Sequence, residues 1–598
     1  MVDDNLMNRY SDNVKIYANA YVSVEFMKGL KYKLNLTPDF QFYRYNSYLG
    51  LYDYGLNKND ITQVTEQQTR TRNVLVENLL TFDRTFGDHK ISVLAGYTYQ
   101  DSRYRYMQGS GQGMPTGIKE IDAAAQGLAV SGNSSRSVLT SILGRAFYSY
   151  KNRYLLTATI RRDGSSKFGS NNRYGNFPSF SVGWNIAEED FVKNNVSWLD
   201  QLKLRGGYGV LGNQEIDNYQ YVSVVTTGIN YPDGKSGLIQ GAFPKTFANP
   251  DIKWEETAMT NVGIDFMALR NRLTLTADWY VKNTKDILLN VPIPISSGGA
   301  NDPIQNAGKI RNQGFEFNIG WNESLNKDLS YGVSFLGTYN KNEVIALGEG
   351  MQPIESGTIH GGTYTSRTLA GYPIGGFWLI PTDGYFNSAE EVQAYQKDGV
   401  LIQPSAEPGD IRFKDTNNDG TINDDDRVYS GSPFPKFTYS INGNITYKNV
   451  DFSIGFQGVA GNKIYNATRL ELTDVTRGTN YLASTLDYWT PENHNASQPR
   501  LIWTDPNRNA RSESDRYLEN GSYFRLRNLQ VGYTLPAAWF HGFVQKARVY
   551  VNAENLFTIT SYSGYTPDVN SSNVYSRGFD EFIYPSNRTF MLGLNVTF

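Results

Sequence analysis

One acidic stretch in the second half of the chain has the residue types and spacing of a calcium-binding loop. From residue 415 to residue 426 the sequence reads DTNNDGTINDDD. Loops of the EF-hand type place oxygen ligands at positions 1, 3, 5, 7 and 12, with glycine at position 6 for a sharp turn. The corresponding ligands are Asp415, Asn417, Asp419, the carbonyl oxygen of Thr421 and Asp426. The stretch therefore predicts a structural Ca²⁺ site.

Two features of this stretch depart from the EF-hand pattern. Position 12 holds the shorter Asp426 instead of glutamate, and no helical pattern flanks the loop. The alternative is an acidic surface turn rich in Asx residues, which tolerates cations without a dedicated site. A bound Ca²⁺ would fix a long loop insertion that we predict over residues 340–433.

No stretch of the sequence carries a catalytic motif, and we predict that the protein is not an enzyme. Cysteine is absent, and the four histidines, His89, His360, His494 and His541, lie far apart. The glycines of 207–212 match a dinucleotide-binding fingerprint, but no helix pattern follows them, so a strand is the better interpretation. Asp278, Glu316 and Glu554 fall on polar strand faces, where they either mark a substrate path or wet a wide lumen.

Composition narrows the class of protein. The chain has 598 residues with a formal net charge of −3 and scattered basic residues, which gives no reason to expect nucleic-acid binding. It contains 42 Tyr, 31 Phe and 56 Gly. No segment reaches the roughly 18 consecutive apolar residues of a spanning helix. Abundant Tyr and Gly without long apolar runs fit a membrane β-barrel, in which aromatic girdles lie at both interfaces, or a soluble all-β protein.

Alternation of apolar and polar residues is the main structural signal. Residues 14–26 and 587–598 alternate almost without error, as strands with one apolar and one polar face do. The same pattern predicts about seventeen strands in total, including one over residues 437–447, and only short helices, such as one that begins at Ser388 and covers residues 388–396. Short turns alternate with long loops between these strands, and one of the long loops is expected at 107–136. Membrane barrels have short periplasmic turns and long outer loops, so the loop lengths favour an all-β transmembrane antiparallel barrel over a soluble sandwich.

Several longer strings resemble the SusC/RagA family of TonB-linked outer-membrane transporters. They are RRDGSSKFG at 161–169, LKLRGGYGVLGN at 202–213, NPDIKWE at 249–255, GDIRFKDTNNDG at 409–420, FRLRNL at 524–529 and NLFT at 555–558. Their order along the chain is that of the family, and they cover most of the chain from about residue 70 onward.

The resemblance implies a 22-stranded outer-membrane barrel that contains a plug and is energised through TonB. It also implies a SusD-like surface lipoprotein as a lid, embedding in outer-membrane lipid, and import of oligosaccharides or peptides in Bacteroidetes-type bacteria. Residues 1–598 are then expected to be the C-terminal part of the barrel. The alternatives are a passive outer-membrane pore or surface adhesin, and a soluble all-β carbohydrate-binding protein.

Aromatic residues in the expected outer loops have two interpretations, because rings that stack on sugars and rings that pack a loop look alike in sequence. These residues are Tyr364, Tyr372, Phe377, Trp378, Tyr385 and Phe386. The sequence does not identify substrate-binding residues.

Overall fold

A computed structural model of the chain describes residues 7–55, 57–232, 234, 237–291, 302–348, 350–359, 362–540, 542–569, 571 and 573–598. His360 and His541 lie outside this part of the chain. The described residues form 35 strands and three short α-helices. No helix among them is long and apolar enough to cross a membrane.

The strands in the first half of the chain are β1 Met7–Tyr17, β2 Ala20–Met27, β3 Leu30–Leu49, β4 Tyr52–Tyr54, β5 Asn57–Asn59, β6 Gln63–Phe86, β7 His89–Gln112, β8 Gln126–Tyr150, β9 Tyr154–Ser165, β10 Tyr174–Asn185, β11 Leu199–Asn213, β12 Val224–Pro232, β13 Leu238–Thr246, β14 Glu255–Ala268, β15 Leu273–Lys285, β16 Leu288–Asn290 and β17 Ile304–Asn306. Helix α1 spans Asp190–Lys193.

The strands in the second half are β18 Lys309–Ser324, β19 Leu329–Ala346, β20 Ile354–Ser356, β21 Ser366–Thr368, β22 Gly376–Leu379, β23 Thr382–Tyr385, β24 Gln396–Lys397, β25 Val400–Leu401, β26 Ile411–Phe413, β27 Val428–Gly431, β28 Phe437–Tyr447, β29 Val450–Ala460, β30 Lys463–Asn466, β31 Leu518–Asn520, β32 Tyr523–Leu535, β33 Lys546–Thr560, β34 Phe579–Asp580 and β35 Thr589–Thr597. Helices α2 and α3 span Ala389–Ala394 and Ala467–Thr473.

The first of two compact units comprises Met1–Trp184, Gly206–Met259 and Thr284–Ala307. Strands β3, β6, β7, β8, β9 and β10 pair antiparallel in chain order. Strands β6, β7 and β8 have 24, 24 and 25 residues. The long loop expected at 107–136 is therefore wrong in its bounds, because its Gly and Ser residues lie largely in strand pairs.

The strand predicted over residues 14–26 is two strands. Both β1 and β2 pair with β3, and residues 18 and 19 interrupt them. The interruption lies opposite Pro38, whose carbonyl accepts a hydrogen bond from Ala18 N at 3.1 Å. Proline has no backbone N–H to return, so the regular ladder breaks here.

The second unit comprises Asn185–Arg205, Thr260–Asn283 and Gly308–Phe598. Strands β18, β19, β28, β29, β32, β33 and β35 pair antiparallel in chain order. Within the described residues of both units, the strands that pair in large antiparallel sheets number 18. They correspond to about seventeen strands when β1 and β2 count as one interrupted strand, as the alternation predicts.

Three long connections of the second unit, 347–436, 461–522 and 561–588, fold together into what we call the loop layer. Short strands in it pair within and between these connections. Its apolar core contains Ile359, Phe377, Leu379, Tyr465, Ala467, Leu470 and Tyr517, all nearly inaccessible to solvent. Residues 340–433 therefore do not form a simple loop: β19 continues to Ala346, and the rest supplies small sheets and helix α2.

Candidate functional site

The sheet of the second unit has one apolar face. Its registers align side chains into rows, such as Tyr331, Ile445, Phe452, Val531, Val551 and Leu592. Many of these apolar side chains face outward without cover: Val531 is 47%, Val551 54% and Leu592 78% exposed. So large an apolar surface is stable when hydrocarbon, not water, lies against it.

Aromatic side chains border this apolar face at both ends. Near the short turns lie Tyr331, Tyr447 and Tyr533, and near the loop layer lie Phe315, Tyr339 and Phe437. Tyr331 and Tyr339 are eight residues apart on β19, which is roughly 26 Å along a strand. The spacing fits the apolar band of an outer-membrane barrel, with aromatic girdles at its two interfaces.

The opposite face of the same sheet is polar and rich in asparagine and glycine. Asn442 lies opposite Gly455, which lies opposite Asn528, and Asn322 lies opposite Gly332. A groove of about 420 Å³ runs over these residues. Amide and backbone groups without net charge line most of it, which suits hydrogen bonding to a polar solute.

One arginine on the polar face pairs with two aspartates, and a glycine makes room for this cluster. Arg205 donates to both oxygens of Asp278 at 2.5 and 2.6 Å and to Asp265 at 3.2 Å. A Cβ on Gly263 would come within 2.4 Å of Asp278 Oδ1 and 2.7 Å of Arg205 Cζ. Asp278 is thus held by an arginine that the sequence did not associate with it. Glu316 is exposed, and Glu554 accepts from Asn552 Nδ2 at 3.3 Å.

The glycines of 207–212 lie in strand β11, as the strand interpretation predicts. A Cβ on Gly212 would come within 2.1 Å of the Phe177 ring. Phe177 belongs to a core of the first unit with Phe168, Ile252 and Trp254. The glycine therefore serves ring packing, and no helix follows it to hold a dinucleotide.

The acidic loop at 415–426 folds around its own carboxylates. Asp415 accepts from the backbone N–H groups of Asp419 at 3.1 Å and Gly420 at 2.8 Å. The buried Asp426 accepts from the N–H groups of Thr416 at 2.7 Å and Asn423 at 2.8 Å. Gly420 has φ +91°, as the sharp turn at position 6 requires.

Asp419 is the most heavily bonded of the predicted ligands. It accepts from the N–H and hydroxyl of Thr421 and from the side-chain amides of Asn417 and Asn423, at 2.8 to 3.0 Å. The hydrogen bond from Asn417 is the largest cause that lowers the pKa of Asp419 to about 2. Asp415, Asn417, Asp419 and Thr421 lie close together, and these oxygen donors suit a hard cation. Among the described residues no group of three or more His, Cys, Asp or Glu side chains forms a metal-binding cluster, so calcium stays a prediction.

A buried ion pair joins two connections of the loop layer. Asp410 is fully buried and accepts from Arg500 Nε at 2.6 Å, Arg500 Nη2 at 3.0 Å and Asn509 Nδ2 at 2.8 Å. Asp410 Oδ2 also accepts a hydrogen bond from the backbone N–H of Glu407 at 2.9 Å. The pairing with Asp410 raises the pKa of Arg500. Ninety residues separate the two partners. Asp410 lies in the string at 409–420, but no sequence pattern associates it with Arg500, so the pair could not be predicted.

A cavity of about 420 Å³ opens within the loop layer beside this network. Charged side chains of both signs line it: Asp474, Arg477, Asp505, Arg508, Arg511 and Glu513. Burial lowers the pKa of Arg511 and raises that of Asp505. The cavity can therefore offer both anionic and cationic partners to a solute.

The outer-loop aromatics divide into packed and accessible rings. Phe377 and Phe386 are fully buried and pack the loop layer. Trp378 is partly exposed and forms a cluster with Tyr372 and Tyr429, with ring centroids 4.9 to 6.1 Å apart. Tyr364 is 44% exposed. Tyr364 and Trp378 are therefore accessible enough to stack on a sugar ring, whereas Phe377 and Phe386 serve to pack the loop layer.

The sequence matches the family described as TonB dependent receptor-like, beta-barrel, over residues 3–556. The chain belongs to this TonB-dependent receptor family. The receptor chain is 32% identical over 600 residues to "TonB-dependent receptor P3" of Formosa agariphila, covering 97% of this chain and 58% of that protein. It is 31% identical over 479 residues to "TonB-dependent receptor SusC" of Bacteroides thetaiotaomicron, covering 78% and 44%.

A solved structure, "Structure of the RagAB peptide transporter", matches the receptor chain with a TM-score of 0.85 and 23% identity, covering 100% of this chain and 63% of that one. This match supports the fold. The receptor chain is an all-β outer-membrane barrel protein, which confirms the expected fold class, family and location. It spans about 58% of the length of the first curated relatives that it matches. These relatives carry the names of receptors, not of enzymes.

Proposed function

We propose that the protein to which this chain belongs imports a polar nutrient, an oligosaccharide or a peptide, across the outer membrane with energy supplied through TonB. The observation that supports the proposal concerns the 18 strands of the large antiparallel sheets, which we call the wall strands and together the wall. The wall has an exposed apolar face and a polar face of asparagine and glycine. The first suits hydrocarbon, and the second suits the passage of a hydrated solute. Membership of the TonB-dependent receptor family supports the energy source.

In this proposal the loop layer captures the substrate. Its cavity carries charges of both signs, and the aromatic cluster around Trp378 adds ring faces. A SusD-like lipoprotein would close over the layer, which requires loops that keep a fixed shape. The buried Asp410–Arg500 pair provides that rigidity. The likeness to the relative named SusC supports a partner of this kind in a Bacteroidetes-type bacterium.

Uptake by cells tests the proposal. Deletion of the gene should abolish growth on one defined pool of oligosaccharides or peptides, and deletion of TonB should reproduce the defect. Arg205→Ala in the polar face should reduce uptake, since it leaves Asp278 without its bidentate partner. Uptake that continues without TonB would indicate a passive pore and contradict the proposal.

We also propose that the 415–426 loop binds Ca²⁺ through Asp415, Asn417, Asp419, Thr421 and Asp426, with a structural role. Asp415→Ala combined with Asp419→Ala should abolish Ca²⁺-dependent protection of residues 340–433 from protease. Glu492→Ala combined with Glu581→Ala removes two exposed carboxylates elsewhere in the layer and serves as the control. Protection that does not respond to Ca²⁺ in the unaltered protein would refute the site.

A further inference from the structure

Seven arginines lie on one face of the sheet in the first unit. They are Arg44 on β3, Arg70 and Arg72 on β6, Arg103 and Arg105 on β7, Arg136 on β8 and Arg162 on β9, and all are exposed. We call them the arginine patch. The hydrogen-bond registers place Arg70 opposite Arg105 and Arg72 opposite Arg103. Arg103 in turn lies opposite Arg136.

The patch shares its face with the apolar side chains of these strands. Side chains alternate along a strand, so Arg70 and Arg72 point to the same side as Val76 and Leu80 of β6. Leu36, Leu80 and Ile142 on this face are 43%, 41% and 62% exposed. The opposite face carries polar residues such as Asn35, Thr98 and Ser141. The arginines therefore lie on the lipid-facing side of the wall.

The change from apolar residues to arginine follows a single boundary. It falls between Phe42 and Arg44 on β3, between Val74 and Arg72 on β6, between Val138 and Arg136 on β8, and between Ile160 and Arg162 on β9. Between β3 and β6, and again between β8 and β9, the boundary moves in the register toward the short turns, whereas it is level on β6 and β8 because Arg72 and Arg136 both lie opposite Arg103. Tilted strands that cross a flat interface produce such a shift. The arginines lie on the loop side of it, at the level of lipid headgroups.

The charges in the patch are incompletely balanced within the described structure. Like charges directly opposite each other destabilise a strand pair. Asp101 forms ion pairs with both Arg103 and Arg136, with N–O distances of 3.0 and 2.9 Å. Arg44 lies 3.7 Å from Glu66. Arg70, Arg72 and Arg105 form no ion pair with the described residues.

Aromatic rings hold two of these unpaired guanidinium groups in place. Arg70 lies over the Phe42 ring, with its Cζ 5.5 Å from the centroid, and Arg72 lies over Phe40 at 5.7 Å. Both rings belong to the same outward face. The two guanidinium groups are thus positioned beside the boundary with donors free for a planar or tetrahedral anion.

We propose that the arginine patch binds the phosphate groups of a phosphorylated glycolipid in the outer leaflet. Arginine is suited to bidentate phosphate recognition. Acyl chains of the same molecule would lie on the outward-facing Val74, Leu36 and Val138, which follow the arginines within about four residues along the register. A second copy of the chain is a poor occupant, because a symmetric interface would oppose one arginine patch to another. The inference needs only the outer-membrane setting and does not depend on the proposed import function.

Purified full-length protein in nanodiscs tests the inference by native mass spectrometry. The probes are bisphosphorylated lipid A, lipid A without phosphate, and inorganic phosphate. We expect retention of the bisphosphorylated lipid and loss of retention without phosphate. The triple variant Arg70→Gln, Arg72→Gln, Arg105→Gln should bind the phosphorylated lipid at least about tenfold more weakly, since charge-assisted hydrogen bonds are lost.

A matched control removes the same number of charges from the polar face. The variant Arg9→Gln, Lys31→Gln, Lys33→Gln should retain lipid like the unaltered protein. Equal binding of both lipids, or equal loss in both variants, would overturn the inference. Displacement of the lipid by millimolar inorganic phosphate would assign the patch to free phosphate instead. A triple variant that changes only the oligomeric state would assign it to contact between copies.

Discussion

Replacement of Arg500 by alanine should loosen the loop layer while the wall strands stay intact. Arg500 provides two of the hydrogen bonds to Asp410, which is fully buried, and is itself only 18% exposed. Removal of one partner of a buried ion pair costs about 3 kcal/mol or more, because the other charge stays buried without compensation. An energy of about 3 kcal/mol corresponds to a factor of roughly 150 in an opening equilibrium.

Hydrogen exchange followed by mass spectrometry measures this opening. The N–H groups of Ile411 and Phe413 bond to side chains of Asn509 and Gln403 at 2.9 and 2.8 Å, so they report on the same network. We expect their protection to fall by roughly 150-fold in Arg500→Ala. The control Arg412→Ala breaks a pair with Asp383 that is 33% and 50% exposed. That pair should be worth less than about 1 kcal/mol.

The result that would refute this reasoning is protection within about threefold of the unaltered protein in Arg500→Ala. Asp410→Asn is a second test in the same hydrogen-exchange experiment, because the amide keeps the shape of the carboxylate and removes its charge. If the ion pair carries the stability, this variant should lie between Arg500→Ala and the unaltered protein.

Three further predictions concern single groups. Gly263→Val should lower the free energy of unfolding by about 1–3 kcal/mol, since its Cβ would meet the Arg205–Asp278 pair. Gly144→Val, whose Cβ would meet only Ile160 at an ordinary 3.7 Å, is the steric control in a melting assay. The depressed pKa of Asp419, about 2, lies below its unfolded value, so its stabilisation should be complete above about pH 4 and disappear as the pH falls through 2, measured by proteolysis of the loop. Burial raises the pKa of Asp505, so its carboxylate should destabilise the layer as the pH rises, and Asp505→Asn should remove this dependence in hydrogen exchange.

The sequence predicts the wall well because each wall strand has its own alternation of apolar and polar residues. The strand predicted at 437–447 matches β28 residue for residue, since its apolar and polar side chains face lipid and lumen in turn. The upper parts of β7 and β8 escape prediction because neither of their faces is uniformly apolar beyond the bilayer. Ser388 was expected to begin a short helix, and it does cap α2 by accepting from the N–H of Glu391.

The loop layer and the charged groups of the wall were less accessible to prediction. Asp278 was assigned to the polar face from its alternation, but its partner Arg205 lies 73 residues away. The same holds for Asp410 and Arg500. No periodicity marks contacts between such distant residues, because each depends on how separate connections meet after the wall has formed.

The pairing distances also have a consequence for the order of assembly. In the second unit each wall strand from β28 to β35 pairs with its predecessor among the wall strands, whereas the bond from Thr382 to Asp515 joins residues 133 positions apart. Closing so long a stretch of chain carries an entropic penalty that is met only when its ends are already near each other. Biogenesis should therefore proceed hairpin by hairpin, and the loop layer should reach its final fold last. A pulse-chase experiment would find an inserted, protease-sensitive species before the mature one.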